Sequence, residues 1–197
     1  MKVVFMGTPD FAVGTLKELI DNQYDVVAVV TQPDKPKGRS KELIFSPVKE
    51  EAVKNKAKGR GKKVIYSPVK ECALAHDLPV YQPVRIKKDP EFIQTLRDMA
   101  PDVIVVVAFG QLLPKSIIDM PRLGCINVHA SLLPKYRGAS PIQWAVIDGC
   151  EYSGVTTMKM DEGLDTGDIL LVDKVKLDKK ETGGSLFDRL SIVGAKL

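Results

Sequence analysis

The sequence predicts an α/β fold: an open, mostly parallel sheet with helices on both faces. Three observations carry this expectation. Two short apolar runs, residues 2–6 and 25–30, flank a stretch with helical periodicity at 10–22, which makes a strand–helix–strand unit. The run DVIVVV at 102–107 is apolar at every position after the first, as a strand buried on both faces must be. Further apolar runs alternate with helical patterns along most of the chain, the rhythm of crossover connections between parallel strands.

Taken in order, the first strand stops at Gly7-Thr8-Pro9-Asp10, which is turn chemistry. Phe11, Leu16, Leu19 and Ile20 then recur at helical spacing, and DVVAVV at 25–30 is the second strand. Residues 32–65, rich in Lys, Gly and Pro, break the rhythm. PVKECALAH at 68–76 reads as a short helix with Pro at its start. Val80 and Tyr81 form a short strand, 90–100 a helix, and CINVH at 125–129 another strand. A helix at 139–148 and a strand at 155–160 follow, then ILLVDKVKL at 169–177, a strand with one wet face. Leu186, Leu190, Val193 and Leu197 place a helix over 185–197. It meets neither a Gly cap nor a Pro stop, so a truncated chain is expected.

At 197 residues the chain has room for one domain, taken as residues 1–197. The longest purely apolar run, 103–109, is far short of the roughly 20 residues a membrane span needs. The N-terminus lacks the pattern of a signal or transit peptide, so a cytoplasmic location is expected. Cys72, Cys125 and Cys150 form no CxxC, and His76 and His129 are the only histidines. A disulfide framework or a metal site is therefore not expected.

The charge is uneven. Residues 35–70 hold 12 Lys/Arg against 3 Asp/Glu, a surplus of nine, while the remainder holds 17 against 22. Such a patch suits a polyanion, or else a solvated loop. The same region repeats: KGRSKELIFSPVKEEA at 37–52 matches KGRGKKVIYSPVKECA at 58–73 in 11 of 16 positions, at an offset of 21. Two copies do not make a solenoid. The sheet needs one copy of the duplicated basic segment at 37–73, leaving the other to bulge out as an appended helix or stay mobile.

Asn127-Val128-His129 is the first chemical constellation. Alternate side chains of a strand share a face, so Asn127 and His129 point the same way at a strand end, where open α/β sheets bind ligands. An Asn amide can donate to a developing oxyanion, and a His beside it can trade protons with an attacking amine. Taken alone, such a short motif more often marks two buried polar residues in structural roles. Residues 161–168, DEGLDTGD, put four carboxylates into a tight turn, one of which could orient His129; an acidic turn is the plain alternative. The loop 130–141, with Lys135 and Arg137, could line a pocket or simply connect. GxGxxG and the phosphate-binding Lys loop are both absent, which counts against NAD and ATP. His76 reads as a surface residue at a helix end, and Trp144 as core or pocket wall.

Together these stretches resemble the formyltransferase family that uses 10-formyltetrahydrofolate. The resemblance runs through VVFMGTPDFA at 3–12, VVTQPDKPKGR at 29–39, SPVKECA at 67–73 and VVVAFGQLLPK at 105–115. It continues in GCINVHASLLPKYRGASPIQWA at 124–145, the most specific block, and MDEGLDTGDIL at 160–170. It implies a Rossmann-like fold and a catalytic set of Asn127, His129 and Asp165. It implies 10-formyltetrahydrofolate as co-substrate, contacted by Ser131, Leu132, Leu133 and Pro134, with no metal. Among the family's branches, the basic loop resembles the one whose acceptor is charged initiator methionyl-tRNA. That implies tRNA contacts from Arg39, Lys58, Arg60, Lys62 and Lys63, with the second copy fitting better and Arg60 foremost. The branch also carries a C-terminal β-barrel domain that this chain stops before, and a monomer off the membrane is expected. Glycinamide ribonucleotide or an amino-sugar nucleotide as acceptor, and a non-catalytic RNA-binding module, are the competing readings.

Overall fold

The computed structural model describes residues 1–36 and 64–197. Its centre is a seven-stranded sheet among the described residues, built from β1 (Lys2–Gly7), β2 (Asp25–Val30), β5 (Val80–Tyr81), β6 (Val103–Val107), β7 (Cys125–His129), β8 (Tyr152–Lys159) and β9 (Ile169–Lys176). The order is β5-β2-β1-β6-β7-β8-β9. Pairing is parallel from β5 through β7 and antiparallel on both sides of β8, so β8 alone runs against the rest. The expected open, mostly parallel sheet is therefore present.

Alternation along the strands divides the core in two. Phe5, Val29, Val107, Val128 and Val155 face one side, under α1 (Asp10–Asp21), α2 (Pro68–Ala75), α5 (Pro141–Ile147) and α6 (Gly183–Lys196). Val4, Met6, Ala28, Val30, Ile104 and Val106 face the other, under α3 (Pro90–Met99) and the short α4 (Lys115–Ile118). Both faces of the central strands are covered, which is why β1, β2 and β6 tolerate no polar side chain in mid-strand. Burying a Val, Leu, Ile or Phe contributes about 1.5–3 kcal/mol, so the apolar runs read from the sequence are also its main source of stability. α1 and α6 lie side by side, with Phe11 and Phe187 in an edge-to-face contact at 5.5 Å.

Some elements differ from expectation. Trp144 is half-exposed on α5. That helix buries Ile142 and Ala145, and residue 144, two positions beyond 142, falls on the opposite side of the helix. β9 was expected to wet one face and instead exposes both, with Ile169, Leu170, Leu171 and Val172 each about half-exposed. It is the last strand of the sheet, and among the described residues only β8 pairs with it. α4 and a 3₁₀ turn at Ile86–Lys88 are too short to announce themselves by periodicity.

Where the sequence loses its rhythm, β3 (Lys35–Pro36) and β4 (Val64–Ile65) form a two-residue antiparallel ladder, Lys35 opposite Ile65 and Pro36 opposite Val64. The first repeat copy, at 37–52, lies outside the described residues. So do Lys58, Arg60, Lys62 and Lys63 of the second copy, and Arg39. Residues 64–73 of the second copy supply β4 and most of α2. Ser67 caps that helix by accepting from the Lys70 backbone N–H, and Pro68 occupies its first turn. Lys70 is buried, and its Nζ donates to Asp34 Oδ2 at 2.6 Å and to Gln82 Oε1 at 2.8 Å. Gln82 Nε2 in turn donates to Asp34 Oδ1 at 2.9 Å, and the Tyr66 ring lies 4.1 Å from the ammonium. This buried polar cluster stands beside Lys35 and Pro36, the last described residues before the basic segment.

Candidate active site

Strand β7 positions the pair at the site. Val128 points down into the core, where it meets α6 at Gly194: a Cβ on Gly194 would come within 3.1 Å of Val128. Asn127 and His129 consequently share the opposite face, at the carboxyl end of the strand. His129 is 7% exposed.

The carboxylate arrives from the turn between β8 and β9. Asn127 Nδ2 donates to Asp165 Oδ1 at 3.2 Å, and His129 Nδ1 lies 3.6 Å from Asp165 Oδ2. The structure thus brings together all three residues singled out from the sequence. Two of the turn's other carboxylates do other work. Asp161 accepts from the Thr166 hydroxyl and the Gly163 backbone N–H, bracing the loop from within. Glu162 pairs with Lys115 at 3.0 Å, and that hydrogen bond, together with Asp119, raises the lysine's pKa. Gly167 fits under β8 only because it lacks a side chain, since a Cβ there would overlap the Lys159 carbonyl oxygen.

The loop after β7 closes the site from the other side. Gly138 N–H donates to Asp165 Oδ2 at 2.7 Å, and Arg137 Nε donates to the Asp165 carbonyl at 2.9 Å. His129 Nε2 lies 2.9 Å from the Tyr136 carbonyl. A carbonyl oxygen only accepts, so Nε2 must carry a hydrogen. Nδ1 then faces the carboxylate, and a second hydrogen on it makes an imidazolium–carboxylate pair. Tyr136, Gly138, Ser140 and Asp165 all have positive φ, from 52° to 83°. Three of these are not glycine, and such clustering of strained backbone is a mark of functional sites.

Of the four residues expected against folate, Ser131 is fully buried, with its hydroxyl donating to the Lys135 carbonyl at 2.6 Å. Leu132 packs over Gly154 of β8, where a Cβ would crowd it at 2.6 Å. Leu133 is half-buried and Pro134 exposed. His76 is an exposed C-cap residue with Nδ1 at 2.8 Å from the Cys72 carbonyl, as expected for a helix-end histidine. Burial pushes the Cys125 thiol up to about 12, which makes it chemically inert at neutral pH. Tyr136 and Gly138 are participants that sequence reasoning missed. They act through backbone atoms, which the side-chain alphabet does not advertise.

A mostly parallel sheet carrying an Asn–His–Asp cluster at a strand end is an arrangement suited to oxyanion and acid–base chemistry. The chain belongs to the formyl transferase family, whose model matches residues 1–197. It is 71% identical over its whole length to the methionyl-tRNA formyltransferase of Lachnospira eligens, and 55% identical to that of Clostridioides difficile. In both cases it spans 56% of the relative's length. Among solved structures, phosphoribosylglycinamide formyltransferase from Bacillus halodurans matches with a TM-score of 0.73 at 21% identity, covering 100% of this chain and 91% of that one. A formyltetrahydrofolate deformylase from Pseudomonas syringae matches at 0.68 and 20%, covering 100% of this chain and 59% of that one. These two likenesses establish the fold.

Proposed function

We propose that the chain is the catalytic portion of a cytoplasmic methionyl-tRNA formyltransferase, moving the formyl group of 10-formyltetrahydrofolate onto the amine of charged initiator methionyl-tRNA. The observation that carries the reading is the convergence of Asn127, His129 and Asp165 at the end of β7. In this reading the neutral amine attacks the formyl carbon, the carbonyl becomes an oxyanion, and the folate nitrogen leaves with the proton the amine gives up. Asn127 donates to the oxyanion, and His129, when doubly protonated, adds positive charge beside it. The His129–Asp165 pair relays the proton, directly or through water. Folate contact falls to Leu132, Leu133 and Pro134, because the Ser131 hydroxyl is committed to the Lys135 carbonyl. Identity of 50–71% to relatives that bear the methionyl-tRNA formyltransferase name supports this acceptor over a ribonucleotide or a sugar nucleotide.

The deciding experiment is formyl transfer from 10-formyltetrahydrofolate with three acceptors side by side: charged initiator tRNA, glycinamide ribonucleotide and an amino-sugar nucleotide. Transfer to either small acceptor and none to tRNA overturns the reading. Asn127→Ala is expected to lower turnover by ~10²–10³, the usual loss for one oxyanion donor, with folate affinity little changed. Full turnover in that variant would remove Asn127 from the mechanism.

The basic segment is proposed to meet the tRNA backbone. Phosphate contacts by Lys and Arg release counterions and make binding salt-dependent. Neutralising Lys58, Arg60, Lys62 and Lys63 together should weaken tRNA binding and flatten its salt slope, with folate binding unchanged. Parental binding across a salt series would assign that charge to solvent.

A further inference from the structure

Tyr136 presents two faces to the site, and only one of them has a role in the mechanism above. Its carbonyl receives His129 Nε2 at 2.9 Å, which obliges that nitrogen to carry hydrogen. Its backbone is held at φ 55°, a conformation a bulky residue adopts only when its surroundings impose it. The side chain shows what imposes it. The Tyr136 hydroxyl donates to Asp148 Oδ2 at 2.7 Å, and Asp148 caps the C-terminal end of α5. With its single hydrogen committed there, the hydroxyl accepts from the Cys150 thiol at 3.1 Å. The ring packs against the core cluster below the sheet. Tyr136 therefore spans from α5 to the imidazole, tethered at one end and reading the histidine at the other.

We infer that Tyr136 is a positioning residue for the transfer reaction: its hydroxyl, anchored on Asp148, holds the carbonyl that fixes hydrogen on His129 Nε2 and leaves Nδ1 facing Asp165. Without the anchor the carbonyl is free to swing from the ring. The neutral imidazole then takes either tautomer, and in the one with hydrogen on Nδ1 that hydrogen points toward Asp165 while Nε2 becomes an acceptor. The inference rests on the proposed role of His129 in catalysis, but its direct readout does not.

The chain has two histidines, so histidine labelled with ¹⁵N in both ring positions gives a spectrum that a His76→Gln variant assigns. Ring nitrogen shifts of neutral His129 should report hydrogen on Nε2 alone in the parent. Tyr136→Phe keeps the ring and the carbonyl and loses the hydroxyl; it should show a mixture of tautomers. Its turnover should fall roughly fivefold, the scale of one lost hydrogen bond, with KM for folate within about twofold. Asp148→Ala should do the same, and the double variant should be no worse than either, because both remove one bond. Asp148→Asn keeps an oxygen acceptor and should behave as the parent. Retention of the pure Nε2–H form in Tyr136→Phe overturns the inference, as does a loss of turnover with no change of tautomer. Because the spectrum needs no acceptor amine, failure of formyl transfer to tRNA would leave this result standing and judge the proposed function alone.

Discussion

Replacing His129 by alanine is expected to lower formyl-transfer turnover by roughly 10²–10⁴, the range for a positioned acid or base. The size follows from how many groups the ring holds. Both nitrogens are engaged, one by the Tyr136 carbonyl and one toward Asp165, so its removal takes away both the proposed proton relay and one neighbour of the carboxylate. Asp165 would keep the Gly138 N–H and the Asn127 amide, so the turn should stay folded. The loss is thus expected in kcat rather than in thermal stability. Steady-state rates alongside a melting curve check this. A variant that keeps turnover within about tenfold of the parent would place the proton relay elsewhere.

Lys70→Met is expected to destabilise the fold by about 3–5 kcal/mol, as breaking one partner of a buried ion pair does. The side chains of Lys70 and Asp34 are 4% and 7% exposed. Removing the ammonium strands a carboxylate with Gln82 as its remaining donor from this cluster. By contrast Lys115 and Asp119 are 66% and 58% exposed, and that pair is worth about 0–1 kcal/mol. Adding Asp34→Leu to Lys70→Met should recover most of the loss, since both members of this buried pair are then gone. Urea unfolding of the parent, the single and the double variant measures both steps. A single variant as stable as the parent would mean that the cluster contributes nothing to folding.

Much of this was legible in the sequence for a plain reason: strands covered on both faces must be apolar throughout, and β1, β2 and β6 are. The i, i+2 spacing placed Asn127 and His129 on one face, and the glycine-punctuated turn offered Asp165. The reversed direction of β8 was not legible, because a period of two is the same for either direction. Nor was the double exposure of β9, whose apolar run looks like that of a covered strand. Asp161 and Glu162 are as acidic as Asp165, and only the loop's own hydrogen bonds decide which carboxylate reaches the histidine. The parts of the site supplied by Tyr136 and Gly138 lie in the main chain, where residue type carries little signal.

The two-residue ladder of β3 and β4 has a consequence for how this protein can change. Lys35 and Ile65 are neighbours, so the sheet meets the same two ends whatever number of residues joins them. Doubling the length of a closed loop costs only about 0.6 kcal/mol. The junction is therefore a splice port. Every strand of the seven-stranded sheet lies within residues 1–36 or 64–197, so deleting one repeat copy should leave its strand registers intact, which a melting curve of the shortened chain checks. Changes in length can accumulate at this point while the Asn127, His129 and Asp165 cluster at the end of β7 keeps its geometry.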